Sequence, residues 1–276
     1  SFACGWHPCC PGVLGYLTEM KTVGILNTGL QPEGLNGVHG SYPDMIRGLL
    51  GNDFDYEVFD VSADEFPGPD AACGAYIITG SAADAYSDTD WIVRLRHFLR
   101  SVRHQVALVG ICFGHQVMAE AFGGRVARSP RGWGIGIHSY AVTEQRPWMD
   151  GGEVFSLIAS HRDQIVQVPP SAKVIASSHF CPVAAIEYSD YVAISMQAHP
   201  EFSAAYARDL LLAKPDAGYT PDHVNVALTM LDELPTDAVR VGGWIRSFLE
   251  THVGARRDPR LRVAGGSSDL GNIAPQ

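Results

Sequence analysis

Cys112 stands in the run Gly110-Ile111-Cys112-Phe113-Gly114-His115-Gln116, with a glycine two residues to either side. A nucleophile flanked in this way marks a strand-to-helix elbow, a turn so tight that side chains at −2 and +2 would collide. The apolar run Val106–Ile111 precedes it as a strand, and a helix over His115–Phe122 follows, ended by Gly123-Gly124. That helix would aim its free N–H groups and its positive dipole end at the sulfur and so favour the thiolate. The plainer reading of the same residue is a buried thiol packed as a small hydrophobe.

A thiolate that attacks a carbonyl needs a base, and the base needs an orienting partner. Gln197-Ala198-His199-Pro200-Glu201 comes at the end of the strand-like run Val192–Gln197. Pro200 restricts His199 to extended backbone. Glu201, two residues on, can bond the second imidazole nitrogen and set tautomer and direction. Cys112, His199 and Glu201 thus read as nucleophile, base and orienter. A His-x-Glu pair is also half of a zinc deaminase signature, but the sequence holds no Cys-x-x-Cys and no cysteine after Cys181, which excludes that reading. His115 reads as a packing residue, and His138 alternates on a strand. Acyl transfer further needs donors for an oxyanion. The N–H of Phe113 is one source. The Gly80-Ser81 turn is another, although taken alone it is an ordinary turn after a strand.

The elements that must position these groups follow from hydrophobic patterning. Thr22–Asn27, Tyr56–Val61, Ala75–Thr79 and Val106–Ile111 read as strands. Ser41 caps a helix reaching Leu50, and Asp90–Arg103 is helical, with Trp91, Leu95, Phe98, Leu99 and Val102 on one face. This alternation predicts an α/β fold with a mostly parallel sheet flanked by helices. The later part reads as strands at Ile135–Val142, Val154–Ser160, Lys173–Ser177 and Val183–Tyr188. Helices are predicted at Arg208–Leu212, His223–Leu231 and Val241–Leu249. Residues 20–252 read as one catalytic domain. Residues 1–19 read as a leader or added segment without order, and 253–276 as a flexible tail.

The chain has 276 residues, 46% of them hydrophobic, and a formal net charge of −10. Such acidity disfavours a nucleic-acid surface, and no run of 18 apolar residues suggests a membrane span. Of the six cysteines, Cys4, Cys9 and Cys10 fall in the first 19 residues. With His7 they form a cluster better read as a terminus than as a metal site. Cys73, Cys112 and Cys181 are widely spaced and odd in number, which fits free thiols in a reducing, cytoplasmic setting.

Together, GICFGHQ at 110–116 and QAHPEF at 197–202 resemble the class I glutamine amidotransferase domain, as do ITGS at 78–81, FGG at 122–124, GWGIG at 132–136 and SHRDQ at 160–164. The resemblance spans about residues 22–202 and is nearest to stand-alone members such as the γ-glutamyl peptidases and the free-standing GMP-synthase-like domains. It implies a flavodoxin-like three-layer fold with an additional small antiparallel sheet. It implies that Cys112 forms a γ-glutamyl thioester and releases ammonia, with His199 as base and then acid and Glu201 orienting it. Phe113, Gly80 and Ser81 match the oxyanion hole. Gln116 matches a position that holds the glutamyl group, and Ser160, Arg162 and Asp163 lie in the loop that contacts its α-amino and α-carboxylate groups. This chemistry requires no metal or organic cofactor. Many members have Gly-Gly-Pro where this chain has Gly80-Ser81-Ala82, and several ammonia-channelling members have glycine at the position of Arg162. The expected substrate is glutamine or a γ-glutamyl compound. The chain would either work alone as a γ-glutamyl hydrolase or feed ammonia to a separate synthetase partner, with neither nucleic acid nor membrane involved. A non-catalytic glutamine-binding or scaffolding domain is the contrasting reading, against which the three intact site residues argue.

Overall fold

A computed structural model describes residues 21–214 and 217–253. The readings of residues 1–19, with the Cys4–His7–Cys9–Cys10 cluster, and of the tail after Val253 lie outside the described residues.

The chain opens with β1 (Thr22–Asn27), α1 (Leu35–His39), α2 (Tyr42–Leu50), β2 (Asp55–Asp60), β3 (Ala75–Ile78), α3 (Asp90–Val102), β4 (Ala107–Ile111) and α4 (Phe113–Ala121). A strand-rich stretch follows: β5 (Arg125–Arg128), β6 (Gly134–Val142), β7 (Val154–His161), β8 (Asp163–Gln167), β9 (Ala172–Ser177), β10 (Ala185–Tyr188) and β11 (Ala193–Met196). Three helices complete it: α5 (Ala204–Leu212), α6 (Pro221–Glu233) and α7 (Ala238–His252). The large sheet has the order β2-β1-β3-β4-β11-β10-β9-β6-β7, while β5 and β8 form a separate antiparallel pair. From β2 to β11 the strands run parallel, and beyond β11 each pairing is antiparallel.

The parallel strands are apolar on both faces because helices cover both. Ala75, Ile77, Ala107, Val109 and Ile111 pack on one side with Ile46 and Leu50 of α2 and with Val241, Ile245 and Phe248 of α7. Their alternates Tyr76, Ile78 and Leu108 pack on the other side with Leu95 and Leu99 of α3 and with Val117 and Met118 of α4. This is a three-layer core. A third cluster joins Ile135 and Ile137 of β6 to Tyr206 and Leu210 of α5 and Leu231 of α6. Ser41 caps α2 as expected, its hydroxyl accepting from Asp44 N–H while the Asp44 carboxylate accepts from Ser41 N–H.

Some boundaries differ from the sequence reading. The helix after the nucleophile begins at Phe113, two residues earlier than expected, because Cys112 itself is its N-cap. Val61 turns into a short 3₁₀ segment and does not extend β2. Helix α1 buries none of its residues, so no apolar stripe announces it. Strands β5 and β8 escaped notice because β5 carries arginine at both ends and β8 is exposed at Val166 and Gln167. No helix among the described residues is long and apolar enough to cross a membrane.

Candidate active site

The carboxyl ends of β3, β4 and β11 lie side by side, with Ile78 opposite Gly110 and Met196 opposite Ile111. The segments that leave these ends, Thr79-Gly80-Ser81, Cys112 and Gln197-Ala198-His199, therefore meet at one edge, where open α/β sheets bind ligands. Backbone bonds lock the junction. Cys112 N–H donates to Met196 O at 2.9 Å, Gly114 N–H to Thr79 O at 3.2 Å, and His199 N–H to Ile158 O of β7 at 2.9 Å.

Cys112 sits at φ 53°, ψ −101°, an uncommon conformation for a residue with a side chain. Its flanking glycines are required sterically. A Cβ on Gly110 would stand 2.6 Å from Gly114 O and from Met118 Sδ, and one on Gly114 would stand 2.3 Å from Ile78 O. So Gly110 is closed off by the elbow itself, and Gly114 by the neighbouring strand β3. Gly114→Ala is accordingly expected to destabilise the fold by about 3 kcal/mol through overpacking. That corresponds to a fall in Tm of about 6–12 °C for a chain of this size, to be read by thermal unfolding.

His199 is 3% exposed, and its Nδ1 lies 2.7 Å from Glu201 Oε1, whose side chain is equally buried. With Nδ1 engaged, Nε2 is the ring nitrogen left for the Cys112 side chain. The Phe202 ring stacks on the imidazole at 3.9 Å, tilted by only 8°. Burial works to lower the His199 pKa, but the negative charges of Cys112 and Glu201, with hydrogen bonds to both, outweigh it and hold His199 well above its ordinary value. So raised, His199 keeps its proton at neutral pH. His115, by contrast, is fully buried between Ser195 Oγ (2.8 Å) and Val183 O (3.1 Å), and burial pushes it down to about 4. It packs, as the sequence suggested.

Gly80 faces the pair closely enough that a Cβ there would meet His199 Cε1 at 3.0 Å. Thr28, at the end of β1, donates its hydroxyl to Gly80 O at 3.0 Å. Phe113 is the first residue of α4, so its N–H has no acceptor within the helix.

Gln116 is buried, and its Nε2 donates to Asp163 O at 2.8 Å and to Gln197 Oε1 at 3.1 Å. Gln197, fully buried, turns its own Nε2 to the Cys112 sulfur at 3.7 Å. A line of side-chain amides thus runs from β8 to the thiol. The expected loop at Ser160–Asp163 is in fact a sharp strand corner. Ser160 belongs to β7, Asp163 opens β8, and only Arg162 lies between strands. The β5–β8 pairing leads away from this corner and sets Arg128 opposite Asp163. The Asp163 carboxylate meets Arg128 Nε at 3.4 Å, and Arg128 also reaches Asp84 at 3.6 Å. Burial and the Asp163 charge raise the Asp84 carboxyl above its usual range. Arg162 Nε is buried with no hydrogen-bond partner among the described residues. Cys112, His199, Gly80, Ser81, Gln116 and the 160–163 corner all line one cavity of about 180 Å³.

The model of the glutamine amidotransferase class-I family matches residues 45–214 of the sequence. The chain belongs to the class-I glutamine amidotransferase family. Gamma-glutamyl peptidase 3 of Arabidopsis thaliana is 29% identical to this amidotransferase over 198 residues, which cover 68% of this chain and 79% of that protein. A glutamine-hydrolysing GMP synthase subunit of Methanopyrus kandleri is 31% identical over 186 residues, 63% of this chain and 91% of its own. Among solved structures, a glutamine amidotransferase of Thermotoga maritima shares the fold, with a TM-score of 0.62 at 19% identity over 84% of this chain and 98% of that one.

The cavity of this amidotransferase also takes in Tyr42, Asp84, Arg128, Trp133, Phe202 and Lys214, to which the sequence alone assigns no role. None belongs to a motif around Cys112 or His199 except Phe202, which directly follows Glu201. Gln197 was quoted with its motif but given no role. Its place two residues before His199, where the strand alternation turns it toward the nucleophile, was the available signal.

Proposed function

We propose that this amidotransferase hydrolyses the γ-amide of glutamine or of a γ-glutamyl conjugate through a γ-glutamyl thioester on Cys112. The observation that carries this reading is the buried 2.7 Å bond from His199 to Glu201 beside a cysteine held at positive φ on a strand-to-helix elbow. The Cys112 sulfur attacks the γ-carbonyl carbon, and the negative charge passes to the carbonyl oxygen, which accepts from Phe113 N–H and from the Gly80-Ser81 turn. His199 gives its proton to the departing nitrogen as the C–N bond breaks, and ammonia or an amine leaves. Water then adds to the thioester while His199 takes a proton from it. Glutamate departs, and the thiolate is restored. Glu201 holds the imidazole in one tautomer throughout. Gln116 and the Ser160, Arg162 and Asp163 corner would grip the glutamyl end, with Asp163 suited to the α-ammonium and Arg162 to the α-carboxylate.

Residues 20–252 are taken as one catalytic domain. The free, buried Cys73, Cys112 and Cys181 support a reducing, cytoplasmic setting. The similarity to a GMP synthase component supports a second reading, in which ammonia passes to a separately made synthetase partner. An assay of ammonia and glutamate release from purified protein separates the two. A free hydrolase is expected to turn over γ-glutamyl substrates unaided. A glutaminase component of a larger synthetase is expected to be nearly silent until that synthetase is added.

A further inference from the structure

Lys214 follows α5 and forms part of the cavity wall with Trp133 and Tyr219. Its neighbourhood is built. Trp133 Nε1 donates to Ala217 O at 2.8 Å, and the Trp133 and Tyr219 rings meet edge-on at 5.0 Å. The Lys214 side chain is half-buried, and burial draws its pKa below the usual lysine range, with the nearby Cys112 acting the other way. The only lysine ion pair among the described residues is Lys173 with Glu144, so Lys214 has no carboxylate there. Among the described residues no carboxylate offsets this part-buried ammonium, which is costly to leave unpaired.

A γ-glutamyl peptide would bring two carboxylates into the cavity. The glutamyl α-carboxylate has a cation at the β7–β8 corner, Arg162, whose Nε has no partner among the described residues. The other carboxylate leaves with the amine, and the amine must depart past His199, which hands it a proton. Helix α5 follows His199 after four residues, Phe202 stacks on the imidazole, and Leu210 and Lys214 carry that wall outward. We infer that Lys214 holds the carboxylate of a departing amino acid or peptide, so that this enzyme takes γ-glutamyl peptides in preference to glutamine. The inference rests on Cys112 and His199 acting as proposed above.

γ-Glutamylglycine and γ-glutamylmethylamide differ chiefly by that one carboxylate and provide the test, with the whole chain and its Lys214→Met and Lys214→Arg variants. The wild type is expected to show a KM about tenfold lower for γ-glutamylglycine, the worth of one charge-assisted hydrogen bond. Lys214→Met should remove that advantage with kcat little changed and leave the methylamide unaffected, and Lys214→Arg should restore most of it. A KM that rises equally for both substrates would mean that Lys214 reads the α-carboxylate they share, and would overturn the inference. So would a variant indistinguishable from wild type on both. If the folded wild type releases glutamate from neither substrate, the hydrolase reading falls, and the inference falls with it.

Discussion

Cys112→Ala is expected to abolish glutamate release from glutamine and from γ-glutamyl peptides alike, by about four to six orders of magnitude in kcat, as loss of a covalent nucleophile does elsewhere. The fold should survive. Cys112 is 6% exposed, but only its sulfur is lost, and the Cβ that the elbow already accommodates stays. The backbone bonds from Cys112 N–H to Met196 and from Gly114 N–H to Thr79 do not involve the side chain. Near-native Tm with no turnover is therefore the expected pair of results. Intact-mass measurement with diazo-oxo-norleucine, a glutamine-like electrophile, gives a second view: one adduct on the wild type and none on the variant. Retention of full activity by Cys112→Ala would refute the proposed mechanism outright.

The next largest effect belongs to Glu201→Gln, which keeps the shape of the side chain and removes its charge. A neutral amide can offer His199 Nδ1 either an acceptor or a donor, so the imidazole loses both its fixed tautomer and one of the two negative charges that hold its proton. A fall in kcat of about 10²–10⁴ is expected, the upper figure matching the loss of the orienting carboxylate's charge in a serine protease triad. The pH profile carries the more specific signature. In the wild type His199 is raised, so it keeps its proton at neutral pH and gives it up only as pH climbs through the raised value. Without the Glu201 charge that value drops, and the alkaline limb of kcat/KM moves to lower pH. A variant with an unmoved limb and undiminished kcat would show that Glu201 does not orient His199.

The buried Oε2 of Glu201 has no hydrogen-bond partner among the described residues, and neither does Nε2 of His161, another residue of the cavity wall. The Nδ1 of His161 lies 3.3 Å from Asp163 O, and burial pushes its pKa down to about 3, so it stays neutral. It can accept a hydrogen bond but brings no charge to the site.

Much of this was legible in the sequence, and for physical reasons. The elbow is a local device. Gly110 and Gly114 are glycines because nothing larger fits, and an apolar strand must end just before them. His199-Pro200-Glu201 is likewise local, since two residues suffice to return a carboxylate to its own histidine. Alternating apolar runs announced β1, β3, β4 and β11, because strands covered on both faces leave an uninterrupted apolar signature. Helix α1, which buries none of its residues, and strands β5 and β8, whose buried positions are partly polar, left no comparable trace.

What the sequence by itself determined was the glycine-flanked elbow at Cys112 and the pairing of His199 with Glu201, together with the parallel core that carries them, because each is encoded within a few residues of contiguous chain. The tertiary structure alone decided what surrounds them. It tied Gly80 O to Thr28, ran a line of amides from Asp163 through Gln116 and Gln197 to the sulfur, and brought Arg162 and Lys214 into the same cavity as Cys112. These contacts join residues far apart in the chain. They depend on which strands become neighbours and on where a helix ends, and neither spacing nor composition carries that information.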